Sequence, residues 1–149
     1  MTLVSTEWLS KNHSKVKIID ASLHLVKNRN AINEFENEHI ENAIFFDLDK
    51  SSSKKKGLVH GHFLPTIKEH EINASNMGIL NSDHIIIYCY SDLISSCRAW
   101  FQFIYFGHDP NLVSVLNGGL KKWKLENREI TNRKSKIIPS TYVAKENIN

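Results

Sequence analysis

Short apolar runs alternate along the chain with segments of helical periodicity. The runs are rich in β-branched and aromatic side chains, which is typical of strands, and they cover residues 16–20, 43–46, 85–88 and 113–116. Five helices are predicted. The first begins at Ser5 or Thr6, and the second covers residues 31–39 with Ile32 and Phe35 inward. The third includes Ile67, Ile72 and Met77, the fourth covers residues 95–106, and the fifth carries Leu120 and Trp123. This alternation predicts an α/β fold, with a central parallel sheet and helices on both faces.

The strand at residues 85–88 and the helix that follows it carry the clearest patterns. The strand is apolar at nearly every position, so we expect a central parallel strand that is buried on both faces. In the helix, apolar side chains at i, i+3, i+4, i+7 and i+8 predict one buried stripe of Cys97, Trp100, Phe101, Ile104 and Tyr105. Gly107 is expected to end this helix, and Gly118 with Gly119 to form a turn that requires positive φ.

Composition and charge narrow the possible functions. The 149 residues suffice for one domain with its own core, and 41% hydrophobic with 23% charged residues is typical of a folded soluble protein. No apolar run approaches the ~20 residues that cross a bilayer, and the first residues do not resemble a secretory signal. We therefore expect a cytoplasmic protein with no membrane association. The net charge of +3 is mild, and a solvated basic loop explains the lysine run at 54–56 better than nucleic-acid binding does.

The segment directly after the strand at 85–88 carries the candidate chemistry. Ligands of parallel α/β sheets bind beyond the carboxyl ends of the strands, where Cys89 is expected. If the loop 89–94 wraps around the sulfur, its N–H groups and the dipole of the next helix favour an anion there. An ordinary thiol has a pKa of ~8.5, and such a site is expected to lower it and to stabilise a thiolate or a persulfide.

The loop pattern fits a second interpretation equally well. Cys89 can be a small buried residue that only closes its strand, which is the usual role of a free cysteine. The chain has two cysteines, too few for a disulfide framework, and a reducing compartment keeps both as thiols. The position of Cys97 on the predicted apolar stripe favours inert core packing for that residue.

Seven separated segments, taken together, resemble a known family. They read VSTEWL from residue 4, IDAS from 19, HIENAIFFDLD from 39, HFLP from 62, RAW from 98, FGHD from 106 and VLNGG from 115. In this order they are similar to the N-terminal rhodanese domain of the two-domain thiosulfate and mercaptopyruvate sulfurtransferases. The resemblance implies a rhodanese-like domain over residues 1–130. Residues 131–149 form a C-terminal tail that resembles an inter-domain linker and is mobile unless it docks on the domain or on a second copy.

The resemblance also implies a reaction. Cys89 stands where the nucleophile follows its strand in catalytic rhodanese domains, although the first domain of the tandem proteins usually has aspartate there. The expected donor is thiosulfate or 3-mercaptopyruvate, the acceptor is a thiol or cyanide, and no cofactor or metal is required. The expected substrate-binding residues are Tyr90, Ser91, Asp92, Leu93, Ile94, Ser95 and Arg98. Active loops commonly carry glycine and a small or hydroxylated residue at the positions that Asp92 and Ile94 occupy in this chain.

Other matched positions have competing roles. Asp49 and His62 match residues that line the cleft of mercaptopyruvate enzymes, but a turn cap and a hydrogen bond within the loop explain them more simply. Arg98 can stabilise an anion or pair with an aspartate, and for Arg29 a surface role is at least as fitting. The alternative to a sulfurtransferase is a non-catalytic module that binds another protein or a second copy of itself as a homodimer.

Overall fold

The computed structural model of the chain describes residues 2–52, 63–91 and 94–147. Its strands are β1 (Thr2–Val4), β2 (Lys17–Asp20), β3 (Ala43–Phe45), β4 (Ile85–Tyr88) and β5 (Val113–Leu116). Its α-helices are α1 (Thr6–Asn12), α2 (Ala31–Asn37), α3 (Ile67–Asn76), α4 (Ser95–Tyr105) and α5 (Gly119–Leu125), with 3₁₀ turns at His13–Lys15 and Pro110–Leu112. The described strands form a single sheet in the order β1-β5-β4-β2-β3, and every pairing is parallel.

The sheet has an apolar core on each face, as the alternating pattern predicts. Along β4, Ile85 and Ile87 point to one face and Ile86 and Tyr88 to the other, and all four side chains are buried. One core includes Ala74 from α3 and Ala99 and Phe103 from α4. The other contains Leu9, Leu120 and Trp123 from α1 and α5. The predicted α/β architecture with helices on both faces is confirmed. Strand β1 was not predicted, because three residues are too few to show an alternating pattern.

The buried face of α4 differs from the predicted stripe. Its buried residues are Ser95, Ser96, Ala99, Gln102 and Phe103. Cys97, Trp100, Ile104 and Tyr105 are only partly buried, and Phe101 is 48% exposed. The buried face of the helix is therefore on roughly the opposite side from the predicted stripe. Size and hydrophobicity misled the prediction because the buried polar side chains have partners, such as the Gln102 Nε2 that donates to His70 Nδ1 at 3.2 Å.

Two other helices are located as predicted but bury different residues. In α3, His70 and Ala74 are buried, and Met77 is buried just beyond the helix, whereas Ile67 and Ile72 are exposed. In α2, the predicted inward-facing Ile32 is 39% exposed, while Phe35 is partly buried and packs on the core. Gly107 ends α4 with φ +83°, as predicted.

The segment 131–147 packs along the domain. The backbone of Thr131 pairs with His39 in an antiparallel bridge, and Ser140 N donates to Ser75 O at 2.9 Å. Tyr142 is only 3% exposed and belongs to the core beside α3 and α4. Gly78 makes this approach possible, since it has φ +67° and a Cβ there would lie 2.4 Å from a carbonyl oxygen of the segment. The tail thus docks on its own domain.

Candidate active site

The carboxyl ends of β4 and β5 open into a groove with a volume of about 970 Å³. Cys89 follows β4 directly and is partly exposed in this groove. The other described lining residues come from β1, α2 and the residues before it, the loop after β4, the start of α4, β5 with the turn after it, and α5. They are Leu3, Arg29, Glu34, Tyr90, Ser91, Ile94, Ser96, Cys97, Val115, Leu116, Asn117, Gly118, Gly119 and Lys121. Cys89 therefore lies at the edge of the sheet where a ligand is expected.

The backbone and the sulfur of Cys89 are held from two sides. Its carbonyl oxygen accepts a hydrogen bond from Leu120 N at 3.2 Å, and its Sγ lies 3.5 Å from the hydroxyl oxygen of Ser96. Gly119 has φ +55°, and a Cβ at this position would lie 2.4 Å from the carbonyl oxygen of Cys89. The predicted positive-φ turn at Gly118 and Gly119 is present, and it lets the start of α5 press against the cysteine backbone.

A buried polar chain anchors the residue after the cysteine. Tyr90 N donates to the Ser22 hydroxyl at 2.7 Å, and that hydroxyl donates to the carboxylate of Asp20. Asp20 also accepts from Ser22 N at 2.8 Å and from the Tyr88 hydroxyl. Burial raises the pKa of Asp20 to about 6, opposed by these hydrogen bonds. Asp20 thus satisfies donors just past its strand, and the start of the loop is fixed through Ser22.

Among the described residues, the rest of the loop and the start of α4 contribute the hydroxyl groups of Ser91 and Ser95 and the apolar side chain of Ile94. The hydroxyl oxygens of Ser91 and Ser95 lie 2.8 Å apart, with Ser95 buried in the first turn of α4. Ile94, which lines the groove and precedes the helix, is 71% exposed. Asp92 and Leu93 lie outside the described residues. Tyr90, Ser91 and Ile94 therefore border the groove, while Ser95 supports its wall.

The described lining of the groove includes two cations, Arg29 and Lys121, with different surroundings. Arg29 forms a two-pronged ion pair with Glu34, with both N···O distances 2.8 Å, and its Nη2 also donates to the Tyr90 carbonyl at 3.0 Å. The Arg29 guanidinium holds the pKa of Glu34 below its usual range. Lys121 forms no ion pair with any residue that the structure describes. Arg29 is thus a brace for the loop, and Lys121 brings an uncompensated positive charge.

Two residues with sequence-based roles, Arg98 and Asp49, lie outside the described lining of the groove, and the structure does not describe a third. Arg98 is partly buried, does not line the described part of the groove, and donates to Gln102 Oε1 at 3.1 Å. Burial lowers its pKa. Asp49 is exposed in the turn after β3, and it is not among the lining residues. His62 lies outside the described residues.

Several residues of the groove had no predicted role in a site, among them Ser96, Cys97 and Lys121. Cys97 was assigned to the buried stripe of α4, but it is partly exposed and lines the same groove as Cys89. The prediction that Cys97 is buried was wrong because α4 packs on the core with a different face from the predicted one. Lys121 had no assigned role, although its place in the first turn of the helix after a Gly-Gly turn is a usable signal for a position near the carboxyl edge.

Metal binding and membrane crossing each require a distinct structural feature. Within residues 2–52, 63–91 and 94–147, no three His, Cys, Asp or Glu side chains are grouped so that they could hold a metal ion. None of the helices in these ranges combines the length and the apolar character that crossing a bilayer requires.

The fold is a parallel α/β sheet with a cysteine in a groove at its carboxyl edge. A comparison with protein families identifies the class of domain to which it belongs. The family model of the rhodanese-like domain matches residues 5–126. The chain belongs to the rhodanese-like domain family.

The relatives include named sulfurtransferases. Thiosulfate/3-mercaptopyruvate sulfurtransferase 2 of Arabidopsis thaliana is 37% identical over 86% of this chain and 37% of its own length. The 3-mercaptopyruvate sulfurtransferase of Homo sapiens is 34% identical over 95% of this chain and half of its own length. Among solved structures, the 3-mercaptopyruvate sulfurtransferase SseA of Escherichia coli superposes with a TM-score of 0.85 at 28% identity, over 100% of this chain and 56% of that one. The chain thus spans about half the length of these relatives or less.

Proposed function

We propose that this chain is a sulfurtransferase that carries sulfane sulfur on Cys89. The Cys89 thiolate attacks the outer sulfur of thiosulfate, the S–S bond of the donor breaks, and sulfite leaves with the electron pair. The resulting persulfide then passes its outer sulfur to a thiol or to cyanide. With 3-mercaptopyruvate as the donor, pyruvate is released instead. The observation that carries the proposal is the partly exposed Cys89 sulfur in a groove beyond a buried central strand.

The start of α4 supports an anion at this sulfur. The helix is eleven residues long, and the hydroxyl of Ser96 in its first turn lies 3.5 Å from Cys89 Sγ. Ile94 occupies the N-cap position and has no side-chain acceptor for the N–H groups of the first turn. The positive end of the helix dipole therefore faces the loop, and it favours both a thiolate and a persulfide.

The charge of the groove supports an anionic donor. Arg29 is neutralised by Glu34, so Lys121 supplies the positive charge that is not compensated within the described lining. Thiosulfate and mercaptopyruvate are both anions, and a lysine at the mouth of a groove raises their local concentration. The names of the relatives support these two donors.

The test measures sulfite and protein mass after the reduced protein has been mixed with thiosulfate. Wild type and Cys97→Ser should release sulfite, and Cys97→Ser should gain one sulfur that a reducing agent removes. Cys89→Ser should do neither. The proposal would be overturned if Cys89→Ser released sulfite, or if no variant released sulfite from thiosulfate or pyruvate from 3-mercaptopyruvate.

A second candidate is a module that binds another copy of itself. Leu25, Val26 and Ile94 are large apolar side chains that are more than half exposed. Such side chains are often covered in an assembly. If this candidate is right, sedimentation will show a concentration-dependent dimer that Leu25→Asp weakens, while Lys68→Asp on α3 leaves it unchanged.

A further inference from the structure

Tyr90, the residue that follows the proposed nucleophile, is held at both its backbone and its ring. Its N–H donates to the Ser22 hydroxyl at 2.7 Å, and its carbonyl oxygen accepts from Arg29 Nη2 at 3.0 Å. Two cations also lie over its ring, since Arg29 Cζ and Lys124 Nζ are each 5.3 Å from the ring centroid. All of these partners belong to segments other than the cysteine loop. The conformation of Tyr90 is therefore set from outside the loop.

Both cations over the ring are anchored by carboxylates from α2 and its C-terminal end. Arg29 pairs with Glu34 of α2 through two N···O contacts of 2.8 Å. Lys124 of α5 pairs with Glu38, the residue at the C-cap of α2. We call Arg29, Glu34, Lys124 and Glu38 the Tyr90 clamp. The clamp links α2 and α5 across the ring of Tyr90.

A buried histidine fixes the carboxylate that Arg29 uses. The His24 side chain is only 3% exposed, and its Nε2 lies 3.0 Å from Glu34 Oε2. Arg29 occupies this oxygen as well as Oε1, so both oxygens of Glu34 are engaged. The hydrogen bonds from Arg29 and His24 hold the pKa of Glu34 below its usual range, and the carboxylate stays charged at neutral pH. Arg29 therefore has a fixed direction toward the Tyr90 carbonyl.

The direction of this carbonyl bears on the chemistry of the neighbouring sulfur. A thiolate or persulfide is favoured by N–H groups and disfavoured by carbonyl oxygens that face it. The peptide group between Tyr90 and Ser91 is planar and trans, and its carbonyl cannot turn toward the sulfur while it is bonded to Arg29. The two cations of the clamp are matched by two carboxylates, so its effect on Cys89 is one of position rather than of charge.

We propose that Arg29 is a positioning residue for Cys89, and that it acts through the Tyr90 carbonyl. This inference rests on the proposed sulfurtransferase function and deepens it, because it names the contacts that keep the cysteine loop in its reactive arrangement. A lysine keeps the charge of Arg29 but lacks the rigid fork that serves the Glu34 carboxylate and the Tyr90 carbonyl together. Arg29→Lys therefore separates position from charge.

The chain offers a matched control in Arg128. Its Nε lies 2.7 Å from Glu126 Oε2, and its Cζ lies 5.5 Å from the Trp123 ring centroid. Its side chain is 24% exposed, compared with 28% for Arg29, and it is not part of the described lining of the groove. Arg128→Lys thus loses the same kinds of contact without touching the cysteine loop. In urea unfolding, both variants should lose less than about 1 kcal/mol, because partly exposed ion pairs contribute little to stability.

The experiment measures sulfite release and amide hydrogen exchange in the full chain. At saturating thiosulfate, Arg29→Lys should release sulfite about ten- to a hundredfold more slowly, with an unchanged half-saturating concentration, because the reacting sulfur is misplaced. The backbone amide of Tyr90 should exchange faster in this variant, since the loop is released. Glu34→Gln should have the same two effects, because an amide cannot accept at both positions. Arg128→Lys should have neither.

The outcomes separate the inference from the proposed function. If Arg29→Lys and Arg128→Lys behave alike, Arg29 does not position the loop, while the sulfurtransferase proposal stands. A loss that appears only as a higher half-saturating concentration, and that high salt removes, also overturns the inference, because Arg29 would then attract the donor by charge. If no variant releases sulfite, the proposed function fails. The exchange of the Tyr90 amide then tests the inference alone, and faster exchange in Arg29→Lys than in Arg128→Lys remains the required result.

Discussion

The groove beside Cys89 lies at the start of α4, and a second region at the end of the same helix has a different role. The groove has partly exposed thiols, exposed Ile94 and an uncompensated Lys121. The second region, which we call the tail face, is formed by His70, Phe103, Phe106, His108 and Tyr142, all of which are buried. A side chain that reacts with a substrate must be accessible from solvent, whereas an apolar side chain stabilises the fold when it is buried. Substitutions in the groove should therefore change chemistry, and those in the tail face should change stability.

The largest expected effect is on chemistry, at Cys89. Cys89→Ser removes the proposed nucleophile, so sulfite release from thiosulfate should fall by at least about a thousandfold. The side chain is only partly buried and the substitution is nearly isosteric, so the free energy of unfolding should change by less than about 1 kcal/mol. Sulfite assays and urea unfolding measure the two quantities. A variant that lost stability in proportion to activity would remove the distinction between the two regions.

The largest effect on stability is expected at Tyr142. Its ring packs edge to face with His70 and Phe103, and its hydroxyl lies 3.0 Å from His108 Nδ1. Tyr142→Ala should lower the free energy of unfolding by about 3–5 kcal/mol, as is usual for a buried aromatic residue. The neighbouring Val143 is 63% exposed, so Val143→Ala is a matched control with a change below about 0.5 kcal/mol.

Urea unfolding checks this prediction, and sulfite release per folded molecule should stay unchanged in both variants. Equal destabilisation by Tyr142→Ala and Val143→Ala would mean that the segment 131–147 contributes to stability through its backbone alone. In that case the buried ring of Tyr142 would not be what holds the segment on the domain.

The two regions also differ in how far the sequence predicted them. The central strand Ile85–Tyr88 was predicted with its observed bounds. A short, continuous apolar run that is followed by a loop is typical of a buried parallel strand, and few other structures fit this pattern. The position of Cys89 at the carboxyl edge followed from that strand. The orientation of α4 was not predictable in the same way, because Ser95, Ser96 and Gln102 are buried with hydrogen-bond partners that lie far away in the sequence or in the loop.

Local sequence patterns did not predict the buried residues of the tail face. Nothing in the sequence around Tyr142 is periodic, so burial of its ring against α3 and α4 could not be anticipated. The side chain of His70 is buried for the same reason, through contacts with Phe106 and Tyr142 that depend on the tertiary fold. Residues whose environment is made by distant segments are the ones that sequence periodicity misses.

The next effect is a pH dependence of stability that arises in the tail face. Burial, and then the charge of His108, lower the pKa of His70 to about 4 from 6.5, and its Nε2 has no hydrogen-bond partner among the described residues. The unfolded chain therefore takes up this proton first. Neutral His70 therefore contributes to the free energy of unfolding fully above pH 6.5. This contribution is lost as the pH falls toward 4, and the loss is about 2 kcal/mol at pH 4.5.

His70→Phe isolates this contribution. The phenyl ring keeps the stacking on Phe106, whose ring centre lies 4.5 Å away, but it cannot bind a proton. The stability of the variant relative to wild type should rise by about 2 kcal/mol between pH 7 and 4.5, as measured by urea unfolding. A relative stability that does not change with pH would show that His70 binds protons equally in both states.

Asp20, near the groove, has the opposite sign over a similar range. Its pKa is raised by burial to about 6 from 3.8, so the folded chain is stabilised by protonation as pH falls from 6 toward 4. The two contributions oppose each other in the wild-type profile. The contribution of His70 is therefore best measured as the difference in the free energy of unfolding between wild type and His70→Phe. Asp20 is present in both proteins, so its contribution cancels in this difference.

The smallest expected effect concerns the charge of the groove. Lys121→Glu reverses the lining charge that the described residues do not compensate, so sulfite release from thiosulfate at low salt should slow about three- to tenfold. High salt should remove most of the difference, because the Debye length falls to ~3 Å at 1 M. Lys68→Glu on α3 makes the same charge change away from the groove and should leave the rate nearly unaltered.

The same pair of variants discriminates between donors. Thiosulfate carries two negative charges and mercaptopyruvate carries one on its carboxylate, so the effect of Lys121→Glu should be larger for thiosulfate if the lysine acts by long-range attraction. An equal effect on both donors that persists at high salt would instead mean that Lys121 contacts the bound donor directly. In that case the groove binds its substrate as a fitted site, and its openness to solvent is lost when the donor is bound.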